Sequence, residues 1–308
     1  RRRFRFKYSL SDIICRNHTI GFVRGVNSNN KSSAEMRINM SDKAPIGVFD
    51  SGIGGLTVVK EIMNQIPGET IVYFGDTARL PYGNKSQETI LTYTRQIIRF
   101  LMGKGVKVIV VACNTASALA LETVKTEVDI PMIGVVKPGA KVAAETTKNG
   151  RIGVIATEGT IRSGIYNNYI NNINPQVEVY GKPCPLLVPL VEEGLLEDPV
   201  TTEMVRRYTK ELLDIDIDTL VLGCTHYPLL RKTIRSVVGE QIKLVNPAYE
   251  TARSLKKVLI ANHLENDPTV KSNHLFYVSD GADKFKKFAK SILPCEVVET
   301  KDVNIENY

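Results

Sequence analysis

From Ala44 onward, short apolar runs alternate with amphipathic stretches of helical length, which restricts the chain to an α/β architecture. Strands are expected at Ile46–Asp50, Thr70–Phe74, Val106–Ala112, Met132–Val135, Arg151–Ala156, Val177–Gly181, Thr219–Gly223, Ile242–Val245, Leu275–Val278 and Glu296–Glu299. After Gln87, the residues Ile90, Tyr93, Ile97, Phe100 and Leu101 repeat at helical spacing and predict one apolar helix face. Val106–Ala112 is a nearly unbroken valine and isoleucine run, as in strands covered on both sides by helices. The expected fold is a doubly wound, mostly parallel sheet.

An internal echo refines this. Ile46-Gly47-Val48-Phe49 resembles Ile152-Gly153-Val154-Ile155, and Val110-Val111-Ala112-Cys113-Asn114-Thr115 resembles Val221-Leu222-Gly223-Cys224-Thr225-His226. The offsets, 106 and 111 residues, nearly agree and point to a duplicated half. Val135–Gly139 and Val245–Ala248 each leave a strand through a proline-containing turn and are read as interdomain crossings. The expected organisation is a first domain of residues 40–136 plus 246–308 and a second of residues 137–245.

The net charge of +7 invites a nucleic-acid reading, so its placement matters. Residues 1–39 hold nine of the 40 Lys and Arg against two acids, which leaves 31 of each sign beyond them. The body is neutral, and no nucleic-acid partner is expected for it. Residues 1–39 are read as a leader outside the folded body, disordered or non-native, with Met40 opening the body; a transit peptide is the alternative. No run of about 18 uncharged apolar residues exists, so no membrane span is expected.

The five cysteines, Cys15, Cys113, Cys184, Cys224 and Cys295, form no C-x-x-C pair. Their pattern fits neither a disulfide framework nor a zinc site and is expected of reduced thiols in the cytoplasm. No metal and no cofactor are expected. Two of them stand out. Cys113 and Cys224 each follow a strand and precede small polar residues and a helix. Ligand sites in open α/β sheets lie at such strand ends. A helix N-terminus there is expected to lower a thiol's pKa, and Asn114, Thr115 and Thr225 add donors for a carboxylate. The plainer reading of either cysteine alone is a small buried apolar residue. Two thiols facing one carbon point to a particular chemistry: one removes a proton and the other returns it from the opposite face, with roles exchanged in reverse.

Other segments carry weaker signals. Asp50-Ser51-Gly52-Ile53-Gly54-Gly55-Leu56 is a glycine-rich turn after a strand, but it lacks the third glycine of a dinucleotide fingerprint, and no Walker sequence exists. Asp50 reads either as a helix N-cap or as a carboxylate serving a substrate ammonium or a thiol. Gly75–Gly83 is a polar loop that could supply backbone N–H groups and the Tyr82 ring. His226 is either structural or a partner to Cys224, and Glu192 and Glu193 read as a solvated helix end.

Four motifs together carry a resemblance: Gly47–Gly55, Gly75–Gly83, Ala112–Ala116 and Leu222–Leu229. From about Ala44 onward the chain resembles the glutamate racemases of the aspartate/glutamate racemase family. The resemblance implies two similar α/β domains with an active site in the cleft between them. It implies cofactor-independent interconversion of L- and D-glutamate in the cytoplasm, with D-glutamate feeding peptidoglycan synthesis, and a homodimer is expected. Cys113 and Cys224 would be the acid/base thiols, Asp50 would assist Cys113, and His226 with Glu192 would assist Cys224. Asp50, Ser51, Tyr82, Gly83, Asn114, Thr115, Thr225 and His226 would bind glutamate. The alternatives are the same fold acting on aspartate or a hydantoin, a related decarboxylase, which needs only one thiol, and a two-domain binding protein with inert thiols.

Overall fold

A computed structural model describes residues 43–269, 272–295, 297 and 299–308. The expectations for residues 1–39 and for Cys15 lie outside them. The strands are β1 (Ile46–Asp50), β2 (Ile71–Gly75), β3 (Val108–Val111), β4 (Met132–Gly134), β5 (Arg151–Ala156), β6 (Glu178–Pro183), β7 (Thr219–Gly223), β8 (Lys243–Val245), β9 (Leu275–Val278) and β10 (Thr300–Asp302). They form two parallel sheets, one of six strands ordered β10-β9-β2-β1-β3-β4 and one of four ordered β6-β5-β7-β8.

The order β2-β1-β3-β4 is repeated as β6-β5-β7-β8. The echo in the sequence is therefore a structural one: β1 corresponds to β5, and β3 to β7. Helices cover both faces of each sheet, as parallel strands require. Val48 and Val110 of the larger sheet pack to one side, and Phe49, Ile109 and Val111 to the other. In the smaller sheet Ile155, Leu220 and Leu222 face one layer, and Ile152, Val154 and Val221 the other. The helix Gln87–Gly103 starts at Ser86, whose side chain accepts from Thr89 N, and buries Ile90, Ile97, Phe100 and Leu101 as the periodicity predicts.

Two expectations are corrected. The last strand lies at Thr300–Asp302, paired to β9 from Thr300 to Phe276, and neither Val297 nor Glu299 belongs to a strand. Val297 is apolar because it fills the core, whereas the edge strand is Thr-Lys-Asp and carries no apolar pattern. The two proline crossings are not turns. Pro138 lies in the first turn of the helix Val136–Thr146, and Pro247 opens the helix Pro247–Asn262, where a missing N–H costs nothing. The crossings touch: a Cβ on Gly139 would lie 2.9 Å from the Pro247 ring, so only glycine allows this approach.

Candidate active site

The C-terminal ends of β1 and β3 in one sheet, and of β5 and β7 in the other, deliver polar residues to one small cavity. Cys113 caps the helix Asn114–Leu119, its sulfur accepting from Ala116 N at 3.4 Å. Cys224 directly follows β7. Both are buried, and both line the same cavity with Ser51, Tyr82, Gly83, Asn114, Thr115, Thr157, Thr225 and His226. The two sulfurs thus come from different sheets.

Each thiol has its own partners. The Cys224 sulfur lies 3.7 Å from His226 Nδ1, and His226 Nε2 lies 3.2 Å from Glu192 Oε1. Glu193, by contrast, is exposed and faces Lys284, so the carboxylate that meets the histidine is Glu192. Burial alone would push the His226 pKa down, but the contacts with Cys224 and Glu192 and the Asp50 charge outweigh it and raise it to about 10. These neighbours favour the protonated imidazole of His226, which has an N–H for each of them.

Asp50 is wholly buried at the end of β1. Its Oδ2 accepts from Gly55 N at 2.9 Å and Gly52 N at 3.2 Å, and its Oδ1 accepts from Thr225 Oγ1 at 3.4 Å. It secures the turn rather than capping the helix Leu56–Gln65, whose N-cap is Gly55. Burial raises its pKa, against the charge of His226 and the backbone donors.

The expected lowering of the Cys113 pKa is overturned. Burial, followed by the Asp50 charge, pushes the thiol up to about 12, and the N–H of Ala116 and the Ser51 side chain only moderate this. A six-residue helix offers too little field to offset removal from water. Alkylation of Cys113 by iodoacetamide should thus be slow at pH 7 and climb about tenfold per pH unit through pH 9, because only the thiolate reacts. Peptide mass spectrometry of quenched samples reads this, and a flat profile over that range would contradict the assignment.

The 75–83 loop is held from behind. The Tyr82 hydroxyl donates to the buried Asp76 carboxylate, which also accepts from Arg79 Nε at 2.7 Å and Ser279 Oγ at 2.9 Å. Tyr82 therefore offers the cavity its ring and leaves Gly83 to offer backbone. Sequence reasoning missed Thr157 and Thr160. Thr157 Oγ1 sits 2.9 Å from Thr115 Oγ1 and 3.0 Å from Thr160 Oγ1. Thr157 follows β5, the echo of β1, and that position alone could have singled it out.

The two halves meet closely around the cavity. Thr57 Oγ1 donates to Thr225 O at 2.9 Å, and a Cβ on Gly54 would come within 2.5 Å of His226 Nδ1. Only about 30 Å³ remains inside, little more than one water needs. That is too small for an amino acid in this conformation. Larger hollows, about 340 Å³ beside Lys125, Lys137 and Lys141 and about 440 Å³ beside Asp216 and Asp218, contain neither cysteine. Among the described residues no cluster of three or more His, Cys, Asp or Glu could hold a metal ion, and no helix is long and apolar enough to cross a membrane.

Residues 46–255 match the Asp/Glu/hydantoin racemase family model. The chain belongs to the Asp/Glu/hydantoin racemase family. It is a racemase, and so an isomerase. A glutamate racemase of Geobacter metallireducens is 48% identical over 261 residues, covering 85% of this chain and 97% of the relative. The structure of a glutamate racemase isoform from Bacillus anthracis aligns at a TM-score of 0.82 with 38% identity, over 85% of this chain and 98% of that one. That of the Francisella tularensis glutamate racemase in complex with D-glutamate aligns at 0.80 with 38% identity, over 87% of this racemase and 100% of that chain.

Proposed function

We propose that this racemase interconverts L- and D-glutamate without a cofactor, using Cys113 and Cys224 as the two acid/base groups. The observation that carries the reading is the meeting of both sulfurs, from different sheets and with different partners, in one buried cavity. One thiolate takes the α-proton and the opposite thiol gives its proton to the carbanion, so one C–H bond breaks and one forms. Asp50 acts on Cys113, and the Glu192–His226 pair acts on Cys224. Side-chain donors of Ser51, Asn114, Thr115, Thr225 and His226 bind the substrate's charged groups beside the Tyr82 ring, and backbone N–H groups at Gly83 and the strand ends stabilise charge that develops on the α-carboxylate. The glutamate racemase relatives support glutamate as the substrate.

The division into residues 40–136 plus 246–308 and residues 137–245, with each domain built on one sheet, is part of the proposal. So are a homodimer, a cytoplasmic location, and a supply of D-glutamate for peptidoglycan precursors.

Incubation of L-glutamate in D₂O with a chelator tests the reaction. Deuterium at the α-carbon should appear together with D-glutamate, ending at equal amounts of the two enantiomers. Turnover of aspartate but not glutamate would keep the two-thiol chemistry and change the substrate. Binding without isotope exchange would leave a binding protein with inert thiols.

A further inference from the structure

One buried tyrosine in the second half reaches across to the first. Tyr166 is 2% exposed and lies in the helix Ile165–Ile173, which packs on the smaller sheet. Its hydroxyl donates to Asn114 Oδ1 at 2.8 Å. Asn114 opens the helix after Cys113 and lines the cavity.

A side-chain amide has one accepting end and one donating end, and the two have nearly the same shape. Which end faces the cavity decides whether Asn114 attracts or repels an anionic group there. Burial, with the Cys224 charge in second place, raises the Tyr166 pKa, so the phenol keeps its proton and remains a donor. With the phenol donating to Oδ1, the N–H₂ end of the amide is left for the cavity.

We propose that Tyr166 is a positioning residue: its hydroxyl fixes the Asn114 amide so that N–H donors face the substrate carboxylate. This rests on the amino-acid racemase reading above. The bond spans the two halves, so the second half orients an amide carried by the first. The Tyr166 ring also packs on the backbone before Cys224, where a Cβ on Gly223 would lie 3.3 Å from it. A direct role at that thiol is the competing assignment.

The test is Tyr166→Phe, which keeps the ring and removes only the hydroxyl, with a thermal melt to verify folding. KM for glutamate should rise about tenfold, the scale of one buried hydrogen bond, while kcat stays within about threefold, since a contact made equally in ground and transition states moves KM alone. Asn114→Ala should raise KM at least as much. The double variant should be no worse than Asn114→Ala, because the hydroxyl acts only through the amide. Additive losses, or a fall in kcat with KM unchanged, would overturn the proposal and place Tyr166 at Cys224. Should the wild-type protein fail to racemise glutamate, the substrate reading fails first. The positioning claim is then read from the Asn114 side-chain amide resonances, identified by their loss in Asn114→Ala. They should shift in Tyr166→Phe, and unchanged resonances would overturn it.

Discussion

Cys113→Ala and Cys224→Ala should each reduce racemisation by about 10³-fold or more while leaving the protein folded. Positioned acid/base groups each contribute roughly 10²–10⁴-fold, and here neither has a substitute on its side of the cavity. Beyond its own small buried volume, Cys113 gives the fold one weak cap contact with Ala116 N and Cys224 one contact with His226, so each truncation should leave the fold intact. The informative measurement is the wash-in of solvent deuterium at the α-carbon. Any residual exchange should affect one enantiomer only in Cys113→Ala and the other only in Cys224→Ala, because a single thiol can remove and return a proton on one face alone. Full racemisation by either variant would sink the two-thiol mechanism.

The largest stability effect is expected far from the cavity. Lys107 lies between the helix Gln87–Gly103 and β3 and is wholly buried. Its ammonium meets Glu69 Oε2 at 2.7 Å and donates to Leu264 O at 2.6 Å, while Glu69 Oε1 accepts from Asn266 N at 2.8 Å. This cluster ties the segment after the helix Pro247–Asn262 to the N-terminal ends of the strands in the larger sheet. Lys107→Ala strands a buried carboxylate, which costs about 3–5 kcal/mol. For a protein of this size that corresponds to roughly 5–9 °C in melting temperature. Replacing both partners with apolar residues, as in Lys107→Met with Glu69→Leu, should recover much of the loss, because the penalty comes from the unpaired charge. Thermal melts of the single and double variants would decide this, and an unshifted melt for Lys107→Ala would refute it.

How much of this was legible without coordinates depended on whether a residue's role was local. β1, β5, β7 and β9 lie where the apolar runs placed them, because strands covered by helices on both faces record their burial directly in runs of apolar residues. β10 was misplaced because an edge strand needs only backbone pairing. The two cysteines stood out from their position at strand ends. The electrostatic character expected of Cys113 did not hold, since a local rule about helix termini says nothing about how completely neighbouring elements exclude water. Glu192 and Glu193 are indistinguishable by type, and only the rotation of the helix Leu187–Glu192 turns one toward His226. Tyr166 was invisible for the same reason: its partner lies 52 residues away, in the other half.

The repeated strand order has a further consequence. The backbone is duplicated, yet the groups around the two sulfurs are not, with a carboxylate on one side and a histidine–glutamate pair on the other. Mirror-image amino acids have equal free energies, so kcat/KM must be identical for both hands however unlike their two sides become. Divergence between the repeats can therefore redistribute kcat and KM separately, making one hand bind tighter and turn over more slowly. It can never bias the final mixture, whose composition belongs to whatever consumes one hand.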